Sequence, residues 1–249
     1  MTTTTHSRNS RRSRKLRNHL NARDAARAIY LDFEGLPNHL PSLLGFACEG
    51  YWSLSIIDDR LSAAEQIHIP GGEVAARSAD SALEIIRTIA ERHNRKVCAW
   101  TEHDLKQIRR IYADHPEKLE WWEANLINIK PQAGRFVQRC GLPVIGIRNR
   151  RTGKISIGHQ AVIMQSLCID VPKQYGRGIA ANGIKAMRSA LVEHVSIDLV
   201  AEEIIEKWTA TLLHNRYDCF GMAAIMCPVT LGLAYSLNPA KWVMDPHQC

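Results

Sequence analysis

Residues 28–36 read Ala-Ile-Tyr-Leu-Asp-Phe-Glu-Gly-Leu, an apolar run interrupted by two carboxylates. The pattern predicts a β-strand that ends near Gly35. Because side chains alternate between the two faces of a strand, Asp32 and Glu34 leave the same face. Two carboxylates in an apolar strand are costly to desolvate and repel each other, and a divalent cation relieves that repulsion while it gains oxygen ligands. The stretch therefore predicts a strand that carries an acidic, metal-binding pair.

Around this strand, the spacing of apolar residues alternates between β-type and helical patterns. Two strands at residues 42–48 and 52–57 flank Glu49-Gly50, which predicts a hairpin. The further predicted elements are a short β segment at Gln66–Ile69 closed by Pro70-Gly71-Gly72, a helix opened by a Ser81/Glu84 capping box, a buried strand at 97–100 and a helix at 104–112. This order of elements predicts an α/β layered fold.

The second half of the chain is predicted to be mainly helical. Residues 117–139 favour helix with an interruption at Pro131, and residues 197–212 repeat apolar side chains at helical spacing. A helix through 214–226 is expected to stop at Pro228, since proline lacks the backbone N–H.

A basic turn at residues 148–153 lies between predicted strands at 144–147 and 154–157. This arrangement predicts a hairpin with a basic tip. The tip is either a clamp on a nucleic-acid strand or an ordinary solvated turn, and both interpretations stay open.

The excess positive charge is confined to the start of the chain. Residues 1–27 hold eight Lys and Arg against one acid, whereas residues 28–249 hold 24 of each sign. Up to about residue 21 the composition is rich in Thr, Ser, Arg and Asn, which predicts disorder. This tail is either an electrostatic arm for phosphate backbones or a leader, a mitochondrial transit peptide included. We therefore expect a basic tail at 1–27 and a single folded domain at 28–249.

Composition excludes several classes of protein. The chain has 249 residues, of which 45% are hydrophobic, which suits one soluble domain with an ample core. No apolar run reaches the roughly 20 residues that a membrane helix needs, and no N-terminal stretch resembles a secretory signal. Seven scattered cysteines without a Cys-x-x-Cys pair disfavour a disulfide framework or zinc finger and favour the cytoplasm. Glycine-rich phosphate loops and a Gly-x-Ser-x-Gly elbow are absent from the sequence.

Two further groups of residues carry candidate chemistry. Asp104 follows the predicted strand at 97–100, where it is either a helix-start acid or a functional carboxylate. The stretch His214-Asn-Arg-Tyr-Asp218 places an imidazole and a carboxylate one helical turn apart. The carboxylate would bind metal while the imidazole orients or deprotonates a water; the alternative is a surface Asp beside a half-buried His.

The order of these groups along the chain resembles that of the ribonuclease-H-like 3′–5′ exonucleases of the DEDD group. Residues 214–218 are most similar to the branch whose last motif reads Tyr-Asn-x-x-Asp, with His214 in place of Tyr. Residues 182–191, Asn-Gly-Ile-Lys-Ala-Met-Arg-Ser-Ala-Leu, are similar to the Ser-Leu-Lys-x-x-Ala helix that often precedes that motif. The middle motif, Trp100-Thr-Glu-His-Asp104, lacks the common Asn and aromatic neighbour, so Glu102 is an alternative ligand. The resemblance covers roughly residues 28–233.

The resemblance implies a ribonuclease-H-like mixed β-sheet flanked by helices, in a single domain. It also implies a metal-dependent nuclease, most simply a 3′–5′ exonuclease that acts on a single-stranded end of DNA or RNA. Two Mg²⁺ or Mn²⁺ ions about 3.5–4 Å apart would be held by four carboxylates. These carboxylates are Asp32, Glu34, Asp104 and Asp218, with Asp32 as the bridge and His214 as the group that orients or deprotonates water.

Two other functions use the same residues. One is a catalytically inactive ribonuclease-H-like module that binds nucleic acid or a protein, and the other is an endonuclease or integrase-like enzyme. Clustering of the four carboxylates around one point would favour the enzymes, whereas a solvent-facing Asp104 would favour the binding module. Trp52, Trp100 and Phe33 either stack on a terminal base or belong to the core.

Overall fold

The structure is a computed structural model, which describes residues 19–144, 147–148, 155–156, 159–172, 178–193 and 196–233. The strands are β1 (Ile29–Glu34), β2 (Leu43–Cys48), β3 (Tyr51–Ile56), β4 (Glu73–Ala76), β5 (Val97–Ala99), β6 (Leu126–Asn128), β7 (Ile147–Arg148) and β8 (Ile155–Ser156). The α-helices are α1 (Ala22–Arg27), α2 (Ala79–His93), α3 (Glu102–Ile111), α4 (Pro116–Asn125), α5 (Lys130–Arg139), α6 (Gln160–Ser166), α7 (Ile179–Glu193) and α8 (Glu202–Leu231). Two 3-10 helices span Asp59–Gln66 and Ile197–Leu199.

Six strands form one mixed sheet in the order β4-β3-β2-β1-β5-β6. β1, β2 and β3 pair antiparallel, while β4 runs parallel to β3, and β5 and β6 continue parallel to β1. Glu49 and Gly50 have φ angles of 49° and 78°, which is the left-handed pair that a two-residue hairpin requires. The predicted α/β class, the mixed sheet with flanking helices and the hairpin are confirmed.

The side chains of β1 alternate between two helical layers. Ile29, Leu31 and Phe33 pack with residues of α2, α3 and α4 on one face of the sheet. Tyr30 points to the other face, where it packs with residues of α5, α6 and α8. By the same alternation Asp32 and Glu34 lie on the face that α8 covers, as predicted. The acidic pair therefore meets the last helix of the domain.

The folded part of the chain begins before the predicted boundary at residue 28. Leu20 is fully buried, and the Gln132 side chain both accepts from the Leu20 N–H at 2.9 Å and donates to its carbonyl at 2.8 Å. Asn21 caps α1, which packs on α8. The predicted tail at 1–27 is therefore too long, because the polar composition around Leu20 and Ala25 hid two core anchors. Residues 1–18 lie outside the described residues.

Two predicted β and capping positions are wrong by a few residues. Residues 66–69 are not a strand: the Pro-Gly-Gly turn precedes the fourth strand, β4, instead of closing it. The cap of α2 is Ser78, whose hydroxyl accepts from the Ser81 N–H at 3.1 Å, so Ser81 lies inside the helix. The strand therefore lies on the other side of the turn, and the cap of the helix lies three residues before the predicted one.

The helix interruption predicted at Pro131 is present but lies just before that proline, whereas the helix end predicted at Pro228 is wrong. Pro131 stands in the first turn of α5, where a missing N–H has no consequence, and the short strand β6 separates that helix from α4. Pro228 lies inside α8, which continues to Leu231 and ends at Gly232 with φ 71°. Because Pro228 is buried in the helical layer, packing holds the last turn despite the lost hydrogen bond.

The predicted basic hairpin is present as the antiparallel pair β7 and β8. Its turn at 149–154 lies outside the described residues, so its interpretation as a clamp stays a prediction. Within the described part of the chain, none of the helices has the length and apolar character to span a membrane.

Candidate metal site

Three side chains from β1 and α8 converge at the end of the central strand. Glu34 is the last residue of β1, and His214 and Asp218 stand one turn apart on α8. The His214 Nε2 atom lies 3.6 Å from Glu34 Oε1 and 3.4 Å from Asp218 Oδ2. One potential ligand atom from each residue lies within 4.8 Å of the other two. The predicted pairing of His214 with Asp218 on one helix face is confirmed, and Glu34 joins it.

Asp32 is fixed beside this group by a buried amide. Asn215 Nδ2 donates to both the backbone carbonyl and the Oδ2 atom of Asp32, each at 3.1 Å. The Asn215 Oδ1 atom accepts from the Trp52 indole N–H at 3.3 Å, and the Asn215 side chain is fully buried. The orientation of Asp32 is therefore set by α8 and by β3 together.

Asn215 was not identified as functional from the sequence, although it lies between the two predicted site residues. The Asn215 side chain packs against Gly45, which lies opposite Asp32 where β1 pairs with β2. A Cβ atom at Gly45 would lie 1.7 Å from Asn215 Oδ1, so the amide occupies the space of a missing side chain. A glycine inside an apolar strand is a signal of such a close approach, and it is the signal that could have identified Asn215.

Asp104 is a helix-start acid, the first of the two interpretations that the sequence left open, and it is also buried near the other carboxylates. Its Oδ2 atom accepts from the Thr101 N–H at 3.4 Å in a capping box at the start of α3. Its carboxyl group also lies near the Phe33 backbone of β1, between the two acidic residues of that strand. Asp104 is only 4% exposed, whereas Glu102 is exposed. The structure thus brings Asp104 to the group and leaves its alternative, Glu102, facing solvent.

Burial and mutual repulsion raise the pKa values of these carboxyl groups. Burial raises the pKa of Glu34 to about 8, with the charges of Asp218 and Asp104 adding to it. Burial likewise raises the pKa of Asp218 to about 7 and that of Asp104 to about 6. The pKa of Asp32 rises well above its usual value through burial and then through the charges of Glu34, Asp218 and Asp104. The charges of Asp32 and Glu34 therefore interact with those of Asp104 and Asp218, although the group whose ligand atoms lie within 4.8 Å of one another comprises Glu34, His214 and Asp218.

His214 is a neutral imidazole in this setting. Burial lowers its pKa below the usual 6.5, so at pH 7 it carries no charge that would balance the carboxylates. Its Nε2 atom faces Glu34 and Asp218, while its Nδ1 atom is buried with no hydrogen-bond partner among the described residues. The basic nitrogen available to a metal ion or a water is thus Nε2.

The donor set fits a hard divalent cation. Carboxylate oxygens are the ligands that Mg²⁺ and Mn²⁺ prefer, and a cation removes the repulsion that adds to the raised pKa values. Glu34, Asp218 and His214 are the nearest donors to one another, with half-buried Asp32 and buried Asp104 near them.

The aromatic side chains suggested for base stacking belong to the core. Trp52, Trp100 and Phe33 are 0%, 8% and 7% exposed, so none presents a face to a bound base. Comparison with known proteins gives no match to this chain among protein-family models, curated proteins or solved structures.

Proposed function

We propose that this protein is a metal-dependent nuclease of the ribonuclease-H-like, DEDD type, acting as a 3′–5′ exonuclease on DNA or RNA. The observation that carries the proposal is the convergence of Glu34, His214 and Asp218 within 4.8 Å, with half-buried Asp32 and buried Asp104 close enough to Glu34 for their charges to interact. A mixed sheet flanked by helices supports it, since that is the fold the sequence resemblance implies.

The roles of the residues follow from their donors. Glu34, Asp218, Asp32 and Asp104 would hold the cations. When bound, two divalent ions supply an acidified water and stabilise charge on the attacking and leaving oxygens of a phosphodiester. His214 Nε2 would orient the water and accept its proton, because burial keeps the imidazole unprotonated. The water oxygen bonds to phosphorus, the bond from phosphorus to the 3′ oxygen breaks, and the leaving oxygen takes a proton from solvent.

Burial of Asp104 favours the enzyme over the inactive module. A carboxylate that merely capped α3 would gain nothing from losing its contact with water, whereas Asp104 is 4% exposed and lies close enough to Glu34 for their charges to interact. The same cluster would suit an endonuclease equally well. The cleavage products distinguish an exonuclease from an endonuclease.

The direct test is degradation of 5′-labelled single-stranded DNA and RNA with Mn²⁺, Mg²⁺ or EDTA. We expect a ladder of products shortened from the 3′ end with either cation and none with EDTA. Internal cuts from the outset would indicate an endonuclease. Binding of both polymers without cleavage under any of these conditions would contradict the proposal and favour the inactive module.

Stabilisation by a divalent cation is expected to grow with pH. Without metal, the folded chain keeps protons on Glu34, Asp218 and Asp104 up to about pH 8, 7 and 6, whereas the unfolded chain releases them near the usual 4.5 and 3.8. The folded state then binds more protons, so the free energy of unfolding falls as the pH rises through this window. His214 has a lowered pKa and acts in the opposite direction, but it is one group against several carboxyl groups. A metal ion binds the ionised carboxylates and restores stability most at the alkaline end.

Thermal unfolding measures this effect without any substrate. The increase in Tm on replacing EDTA with Mn²⁺ should be larger at about pH 8 than at about pH 5.5. The control is the double variant Glu34→Gln/Asp218→Asn, which should show no increase at either pH. An equal increase in wild type at both pH values would mean that the cation binds elsewhere.

A further inference from the structure

A cationic cavity lies where the chain enters the domain, away from the carboxylates. It has a volume of about 280 Å³ and opens between the start of the described chain, α5 and the end of α8. Its lining residues are His19, Gln132, Arg135, Arg139 and Val229, none of which is acidic. Arg135 and Arg139 stand one turn apart on α5, so both guanidinium groups reach the same opening.

The two arginines carry charge that the rest of the described chain does not neutralise. Neither forms an ion pair or a side-chain hydrogen bond with another described residue. Six other arginines do pair with a carboxylate, namely Arg60, Arg77, Arg87, Arg95, Arg109 and Arg188. Like charges one turn apart on a helix repel, and an anion between them removes that repulsion. The planar guanidinium fork matches a phosphate group in particular.

One wall of the cavity is anchored to the core. Gln132 makes two hydrogen bonds with the Leu20 backbone, and the Leu20 side chain is fully buried, so the chain next to His19 is tied to α5. The sequence before His19 adds six Lys and Arg and no acid in residues 1–18. Positive charge is therefore covalently joined to the rim of this cavity, whereas the net charge of residues 28–249 is zero.

The cavity is so far from the metal site that only a polymeric ligand can occupy both. Along α8, Val229 of the cavity lies about 16 Å beyond Asp218. Along β1, the start of the strand, next to α1, lies about 17 Å from Glu34. A mononucleotide in the metal site would not reach Arg135 and Arg139, but a strand several nucleotides long would. We infer that this cavity is a phosphate-binding groove for the backbone of a polynucleotide whose end occupies the metal site. The inference rests on the proposed function for the position of that end.

Binding without metal tests the groove separately from cleavage. The probes are 5′-fluorescein-labelled dT20 and rU20, titrated with the full chain in EDTA over a range of salt concentrations. The double variant Arg135→Glu/Arg139→Glu should weaken binding by about tenfold or more at low salt. It should also reduce the slope of log K against log salt by about 1.4, because about 0.7 ion is released for each single-strand phosphate contact. The matched control is Arg92→Glu/Lys96→Glu, two exposed residues at and beyond the end of α2 on the opposite face.

The possible outcomes test the phosphate-binding groove and the nuclease activity separately. Equal weakening in both double variants, an unchanged salt slope, or no binding of either probe to wild type would overturn the groove. Weakened binding in the groove variant alone, in a protein that cleaves nothing, would retain the groove and reject the nuclease. In an active enzyme, the groove variant should raise KM for dT20 and leave hydrolysis of a trinucleotide within twofold. Normal cleavage of dT20 by that variant would reject the groove and retain the nuclease.

Discussion

Replacing Glu34 with Gln, or Asp218 with Asn, should lower metal-dependent cleavage by at least about a thousandfold while the protein stays folded. Each change removes a charged oxygen ligand and keeps the side-chain volume. Burial raises the pKa of Glu34 to about 8, with the charges of Asp218 and Asp104 adding to it, and burial raises the pKa of Asp218 to about 7. The neutral amides should therefore also stabilise the metal-free protein at alkaline pH. Cleavage of labelled strands and thermal unfolding in EDTA measure the two effects.

The control for this pair is Glu102→Gln. Glu102 lies two residues before Asp104 and is exposed, so the same chemical change there should leave cleavage within about twofold of wild type. Activity that survives in the Glu34 and Asp218 variants but disappears in the Glu102 variant would place the site on the solvent side of α3 and contradict the cluster described above.

Replacing Gly45 with Ala should lower the free energy of unfolding by about 1–3 kcal/mol and reduce cleavage with it. The added Cβ would lie 1.7 Å from Asn215 Oδ1, and the fully buried Asn215 side chain has no free space into which it can turn. Moving it breaks the hydrogen bonds to Asp32 and the one from Trp52. Denaturant unfolding and the cleavage assay report the two losses.

Two companion variants identify the cause. Gly134→Ala has no atom within 4 Å of its new Cβ and lies within α5, so it should be neutral or stabilising, by up to about 1 kcal/mol. Gly45→Ala/Asn215→Ala removes the clash and should recover part of the stability, yet cleavage should stay low because Asp32 has lost its amide partner. Full activity in Gly45→Ala alone would show that Asn215 does not position Asp32.

The central part of the fold could be predicted because its signals are local. The two-residue period of β1 places Asp32 and Glu34 on one face, and the four-residue spacing of His214 and Asp218 places both on one turn of α8. Each relation needs only the geometry of a single element. That the two elements meet followed from the order of motifs and the resemblance, not from periodicity.

The parts that could not be predicted depend on contacts between distant residues. Asn215 gains its role from Asp32, Trp52 and Gly45, which are all more than 160 residues away in sequence. Leu20 has polar neighbours in sequence, and only its burial under Gln132 reveals it as core. The three-residue strand β6 is too short to show a period. Such features are decided by tertiary packing, which overrides local propensity.

Helix α8 is the last helix of the described chain, yet it packs on the first strand of the sheet. The hydrogen bond between Asn215 and Asp32 closes a loop of 183 residues. Contacts of such long sequence separation are slow to form, so folding is expected to finish late and to be rate-limited by docking of α8. During synthesis the carboxylates of β1 gain their partners on α8 only after residues 202–231 have been translated. A chain terminated before residue 202 would have no site, and the uncovered apolar sheet face would make it prone to aggregate.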